Sequence, residues 1–137
     1  MSTTTSPQLR SLSREGSLRL LRTGGICSIA VTEKALPVVV AARFALVGDT
    51  IYVRARSETL LARAATDRVV GCGVHGMQSG TRRRWTVSIT AVAEFGAPTD
   101  LATRDELASL RSWGDEEDGQ VLLRLATDLV SGQLIEF

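Results

Sequence analysis

LPVVVAARFALVGDTIYVRAR, residues 36–56, has the pattern of two β-strands joined by a tight turn. An apolar run follows Pro37, and Gly48-Asp49 supplies residues that favour a hairpin turn. The second strand alternates between two faces because successive side chains point to opposite sides. One face carries Ile51, Val53 and Ala55, and the other carries Tyr52, Arg54 and Arg56. This hairpin, apolar on one side, indicates a mainly β fold.

Similar β-branched or alternating runs recur along the chain and predict further strands. We expect them at 26–32, 68–74, 85–95, 120–127 and 133–137. In segment 85–95, alternate residues from Trp85 to Phe95 form one apolar face. Loops are predicted at the glycine-containing segments 75–81 and 128–132 and at the acidic segment 113–119.

Three short helices are predicted between these strands. The first covers 13–22, with Ser11 or Ser13 as its N-cap. The second covers 57–67, with Ser57 as its cap, and the third begins where Thr103 and Glu106 match a capping box. Strands in hairpins, interrupted by helices, predict an α+β antiparallel barrel of six to seven strands with about three short helices. We assign residues 1–12 to a flexible tail and 13–137 to a single domain.

Composition excludes several classes of function. The chain has 137 residues and a net charge of +1, which argues against general nucleic-acid binding. No stretch approaches the roughly 20 apolar residues of a membrane span. The N-terminal segment lacks the apolar core of a secretory signal peptide. Cys27 and Cys72 lie in apolar runs without metal-ligand spacing, so we expect reduced, buried thiols in a cytoplasmic protein. His75, the only histidine, supports no catalytic triad.

Four segments, in this order, resemble the pyridoxamine 5′-phosphate oxidase-like family of FMN-binding split-barrel proteins, especially its small bacterial members. They are LLRTGG (20–25), LPVVVAARFALVGDTIYVRA (36–55), WTVSITAVAEF (85–95) and LLRLATDLVSGQLI (122–135). The resemblance covers roughly residues 13–133. It implies a homodimeric split barrel with two FMN sites at the subunit interface. It also implies an oxidoreductase whose small-molecule substrate and electron donor the sequence does not identify.

The resemblance also implies which residues bind the cofactor. The flavin ring would lie against VVVAARF (38–44), and its phosphate would be bound near the end of the next strand. The implied residues are Arg43, Arg54, Arg56, Ser57, Thr59, Arg63, Arg84 and Trp85. Taken alone, the same residues also fit a solvated strand face, a helix cap, a salt bridge and core packing. Both interpretations stay open at the level of sequence.

Three positions depart from the family pattern. Ala55 stands where many relatives carry threonine, Leu60 where they carry lysine, and Ala41 where they often carry proline. A lost hydroxyl or ammonium partner of the phosphate costs about 1–3 kcal/mol each. Two alternatives to an FMN enzyme follow: a non-catalytic dimeric binding or regulatory protein that has lost FMN, and a deazaflavin-dependent reductase.

Overall fold

In the part of the chain that the structure describes, the fold consists of nine strands and three short helices. The structure is a computed structural model that describes residues 8–56, 59–96, 98, 100–110 and 120–136. The elements are β1 (Gln8–Leu12), α1 (Arg14–Leu21), β2 (Gly25–Glu33), β3 (Leu36–Val47), β4 (Thr50–Arg56), α2 (Leu60–Ala65), β5 (Val69–Met77), β6 (Arg83–Val92), β7 (Glu94–Phe95), α3 (Leu101–Leu107), β8 (Gln120–Ala126) and β9 (Leu129–Glu136). No helix in these ranges has the length and apolar character needed to cross a membrane.

All nine strands join one antiparallel sheet, in the order β1-β9-β6-β5-β2-β3-β4-β8-β7. The sheet curls, and alternate residues of its strands point into a shared apolar core. The largest fully buried side chains include Ile29, Ile51, Ile89, Leu123 and Leu125. The fold is therefore the expected mainly antiparallel split barrel.

The split in the barrel lies between β3 and β4. These strands pair from Phe44 opposite Val53 to Val47 opposite Thr50, next to the Gly48 turn, which has a φ of 60°. Beyond Phe44, β3 remains paired with β2, whereas β4 remains paired with β8 as far as Arg56. The two strands therefore separate and leave a cleft between their distal halves.

The helices take their positions from local caps and apolar contacts. Ser13 is the N-cap of α1 and accepts a hydrogen bond from the Gly16 N–H, as the sequence predicts. Helix α2 begins later than expected, because its N-cap is Thr59. Helix α3 also differs, since its N-cap is Asp100 and not Thr103.

Helix α3 lies on the outer surface of the sheet, apart from the barrel core. Leu107 packs there against Tyr52 of β4 and Leu122 of β8, and all three side chains are buried. Tyr52 and Leu122 occupy the face opposite the barrel core. This second apolar cluster fixes α3 beside the cleft.

The nine strands exceed the predicted six to seven. Strand β7 follows β6 as a separate short element, and β1 pairs with β9 from Gln8 to Leu12. Residues 8–12 are therefore part of the sheet, whereas the sequence assigned them to a flexible tail. Residues 1–7 of that tail and the acidic segment 113–119 lie outside the described residues.

Two glycines that suggested loops belong to strands. Gly76 lies in β5 opposite Trp85, and a Cβ atom there would come within 2.6 Å of the indole ring. Gly132 lies in β9, where a Cβ atom would overlap the Ser17 hydroxyl of α1. Each glycine marks a close approach of a side chain to a strand, so the predicted loops at 75–81 and 128–132 are wrong in part.

The long strand predicted at 85–95 is interrupted at Ala93. Its backbone N–H donates to the Arg68 carbonyl at 2.9 Å, and its carbonyl accepts from the Asp67 N–H at 2.7 Å. These bonds hold the buried Ala93 between two strands. Before it, β6 pairs with β5 and β9, and after it, β7 pairs with β8. Phe95 consequently is 47% exposed and does not continue the apolar face.

Thr127, between β8 and β9, joins three parts of the fold. Its buried hydroxyl donates to the Asp49 carbonyl at 2.6 Å and accepts from Arg14 Nη2 at 3.0 Å. Arg14 also donates to the Thr127 carbonyl. The β3–β4 turn, the first turn of α1 and the end of β8 are thereby connected.

Thr127→Val should destabilise the protein by about 1–3 kcal/mol, because the Asp49 carbonyl and the Arg14 guanidinium each lose a partner while the side-chain volume is conserved. Urea unfolding measures the loss. Thr127→Ser, which keeps the hydroxyl, is the matched control and should retain most of the stability. Equal losses in the two variants would contradict this role of the hydroxyl.

Candidate functional site

A cavity of about 90 Å³ lies in the cleft between β3 and β4. Residues 40–42 of β3 form one side, residues 54–56 of β4 form the other, and Thr59 and Leu61 close the end. The separation of the two strands is what creates this space. Two of its lining residues, Arg54 and Arg56, carry positive charge, and apart from Thr59 the other lining residues are apolar.

Arg54 lies at the border between the cavity and helix α3. Its Nη2 atom donates to the Leu107 carbonyl at 3.4 Å, at the C-terminal end of α3. In the β4–β8 ladder Arg54 stands opposite Leu122, which is buried under the same helix. The guanidinium is therefore part of a local packing arrangement as well as of the cavity lining.

Thr59 shapes the cavity mainly through the backbone. Its hydroxyl donates to the Arg56 carbonyl at 2.6 Å and accepts from the Ala62 N–H at 3.4 Å. With its proton already donated to a carbonyl, this hydroxyl caps α2 and holds the chain after Arg56. The neighbouring prediction, Ser57, lies outside the described residues.

Arg43 and Arg63 do not line this cavity. Arg43 is exposed on the outer face of β3, one residue beyond the lining residue Ala42. Arg63, on α2, lies 3.4 Å from the Glu33 carboxylate in a solvent-exposed ion pair. Such a pair contributes little to stability. For Arg63 the salt-bridge interpretation therefore describes the contact that the structure shows.

Arg84 and Trp85 line a different cavity, of about 330 Å³. It also includes His75, Met77 and Ile135, and it shares no residue with the cleft. In the sheet order, β5, β2 and β3 lie between β6 and β4. Trp85 itself is half-buried, with its ring over Gly76 and its edge against the core. Within one chain, the two predicted groups of residues are thus separated.

The outer face of the sheet next to the cleft carries no charge over two rows of register. One row is Ala41, Ser28, Gly73, Ser88 and Ser131, and the next is Val39, Ala30, Gly71, Thr90 and Leu129. Val39 and Leu129 are 68% and 67% exposed. Apart from Val39 and Leu129, this face consists of small and hydroxyl-bearing residues.

Comparison with known proteins identifies the family. The family model described as pyridoxamine 5′-phosphate oxidase matches residues 13–133. The chain belongs to this family. A search of curated proteins gives no match.

Solved structures of similar fold include three with flavin in their descriptions. The FAD-binding protein from Mycobacterium smegmatis is 19% identical, with a TM-score of 0.74, covering 93% of this chain and 98% of that chain. An FAD-binding protein from Mesorhizobium loti is 18% identical, with a TM-score of 0.73, covering 96% and 100%. The FAD and heme binding protein from M. smegmatis is 23% identical, with a TM-score of 0.71, covering 91% and 72%. At these identities the likeness shows the fold.

Leu61 is a cavity residue that the sequence did not indicate, because it is apolar and looks like an ordinary core residue. Val40 and Ala42 lie in the stretch 38–44 that the resemblance places against the flavin ring. The contact between Arg54 and Leu107 spans 53 residues. It depends on where α3 rests, which alternation along β4 does not reveal.

The two cysteines lie in the barrel core, 1% and 3% exposed, and both are free thiols. In the register of β2 and β5 they are diagonal neighbours, because Cys72 stands opposite Ile29. A hydrogen bond with Cys72, together with burial, raises the pKa of the Cys27 thiol. In this chain both thiols are therefore part of the barrel core.

Native protein should leave both thiols unreactive toward DTNB at pH 8, because burial blocks access and the raised pKa keeps Cys27 protonated. Absorbance at 412 nm should report two thiols per chain only after unfolding in guanidinium. Reaction of either thiol in the native protein, at the rate of a small free thiol, would contradict this description.

Proposed function

We propose that this chain binds FMN through its phosphate in the β3–β4 cleft and acts as an oxidoreductase on a small molecule. The observation that carries the proposal is that Arg54 and Arg56 line one cavity together with residues 40–42. The family resemblance assigns the flavin ring to this stretch of β3. Membership of the pyridoxamine 5′-phosphate oxidase family and the flavin-binding relatives support a flavin as the ligand.

The donor set fits a phosphate. Two guanidinium groups on neighbouring outward positions of β4 match the charge of a phosphate dianion, and each offers a planar pair of N–H donors. They stand in for the threonine and lysine that Ala55 and Leu60 replace. The site therefore binds phosphate with a different set of side chains from the one common in the family.

The size of the cavity limits what it holds. A volume of about 90 Å³ accommodates a phosphate group, whereas drug-sized ligands occupy pockets of roughly 300–1,000 Å³. The three-ring flavin must therefore lie outside the cavity, on the exposed side of β3 near Val39 and Ala41. A ring in this position would remain open to water unless a second molecule covers it.

A second copy of the chain is the covering molecule that we propose. The uncharged outer face begins at Val39 and Ala41 and continues to Leu129 and Ser131, next to the ring position. Association of two such faces would bury the ring and bring the cavity of Arg84 and Trp85 on one subunit toward the cofactor of the other. In this arrangement both predicted groups of residues serve one site.

The chemistry of the site then comes from the cofactor, since a bound flavin exchanges hydride with a substrate. The protein binds the phosphate, orients the ring and excludes water. No acid–base side chain is required. FAD carries the same first phosphate, so titration with both flavins decides between them. The free thiols fit a reducing compartment, and we propose a cytoplasmic location.

A second candidate is a dimeric binding protein of the same fold that has lost the flavin. Ala55 and Leu60 favour it, because they stand where relatives carry a threonine and a lysine, and Ala55 lines the cavity. The purified protein separates the candidates. The flavin protein is yellow as purified or quenches the fluorescence of added FMN, whereas the second candidate is colourless as purified and leaves that fluorescence unchanged.

Arg56→Ala should weaken FMN binding by about 1–3 kcal/mol, because the phosphate loses one charged partner. Quenching of flavin fluorescence measures the affinity. Riboflavin, which lacks the phosphate, should bind the variant as it binds the wild type.

Arg63→Ala is the matched control, since Arg63 belongs to the same segment but pairs with Glu33. Its FMN affinity should stay close to that of the wild type. Failure of the wild type to bind any flavin would overturn the proposed function. Normal FMN affinity in the Arg56 variant would remove Arg56 from the site.

Light scattering during gel filtration should give twice the mass of one chain. Ala30→Arg, in the centre of the uncharged face, should shift the protein to the monomer because each dimer would bury two unpaired charges. Ala108→Arg, the same change at an exposed position just after α3, should leave the dimer intact. A monomeric wild type would contradict the proposed assembly.

A further inference from the structure

We propose that helix α3 is a positioning element for the cofactor, with Leu107 orienting Arg54 toward the phosphate. The proposal rests on the proposed function, since it concerns the same cavity. It assigns a role to a helix that contributes no residue to the lining of that cavity.

The direct contact is the bond from Arg54 Nη2 to the Leu107 carbonyl, at 3.4 Å. Leu107 is the last residue of α3, and the C-terminal carbonyls of a helix attract cations. A guanidinium carries five N–H donors in one plane, so the bond to Leu107 uses only part of its capacity to donate.

The packing around this bond holds the helix in place. Tyr52 lies two residues before Arg54 on the same face of β4, and Leu122 stands opposite Arg54 on β8. Both are buried against Leu107, which is itself 1% exposed. The stem of Arg54 thus emerges between two side chains that α3 covers. Any movement of α3 would change the surroundings of this arginine.

Orientation matters because arginine has a long side chain whose freedom is lost when it binds a ligand. An anchor that holds the side chain before a ligand binds reduces this loss and so raises the affinity. The helix supplies such an anchor. It places the guanidinium at the cavity before the phosphate arrives.

The N-terminus of α3 offers an independent way to disturb the helix. Asp100 accepts hydrogen bonds from the Thr103 hydroxyl at 2.6 Å and from its backbone N–H at 2.9 Å. These bonds lower the pKa of Asp100, so its carboxylate is ionised at neutral pH. Asp100→Ala removes this cap, whereas Asp100→Asn keeps an acceptor at the same position.

The test compares FMN with riboflavin in the full-length protein. Leu107→Ala should weaken FMN binding on the order of tenfold while leaving riboflavin affinity unchanged, since only the phosphate contact depends on Arg54. Asp100→Ala should also lower the ratio of FMN affinity to riboflavin affinity, whereas Asp100→Asn should keep the ratio of the wild type. Leu123→Ala, a core change on the inner face of β8, should reduce stability without changing the ratio.

A double-mutant cycle distinguishes positioning from general loosening. In an Arg54→Ala background, Leu107→Ala should have no further effect on the ratio. An unchanged ratio in Leu107→Ala, or the same reduction with and without Arg54, would overturn the proposal while FMN binding by the wild type upholds the proposed function. A wild type that binds no FMN would overturn both.

Discussion

The separation of β3 from β4 is the constraint on which the rest of the structure depends. The two strands share four residue pairs beside their turn, and each then stays paired with its other neighbour. On its far edge each strand keeps its ladder, β3 with β2 as far as Leu36 and β4 with β8 as far as Arg56. The cleft therefore exists without breaking the sheet, and it opens where two arginines follow each other on one face of β4.

Alternate residues of β4 have different surroundings, although Ala55 of the inner face also lines the cavity. Inner residues such as Ile51, Val53 and Ala55 form the barrel core with the helices α1 and α2. Outer residues of the same strand support α3 at Tyr52 and border the cavity at Arg54 and Arg56. Because side chains alternate, one strand of seven residues can serve both purposes. A shift of the register of β4 by one residue would exchange the residues that face the core with those that face outward.

Alternation also explains how much of the fold could be predicted. The hairpin at 36–56 has a glycine turn and one apolar face, and the structure has strands there. Gly76 and Gly132 show why the prediction failed elsewhere, because a glycine that leaves room for Trp85 or Ser17 looks the same in sequence as one that makes a turn. The break at Ala93 depends on bonds to Arg68 and Asp67, which no local pattern records.

The candidate site follows the same rule. Arg54 and Arg56 were accessible to sequence analysis because their face is set by neighbours one residue away. The cap at Thr59 was missed in favour of Ser57, since two hydroxyl residues close together give the same signal and only the backbone decides between them. Leu107 was harder still to predict, because its hydrogen bond with Arg54 joins β4 to a helix 53 residues later in the chain. The positive charge of the candidate site is thus evident from the local sequence, whereas the position of α3 beside Arg54 depends on the tertiary fold.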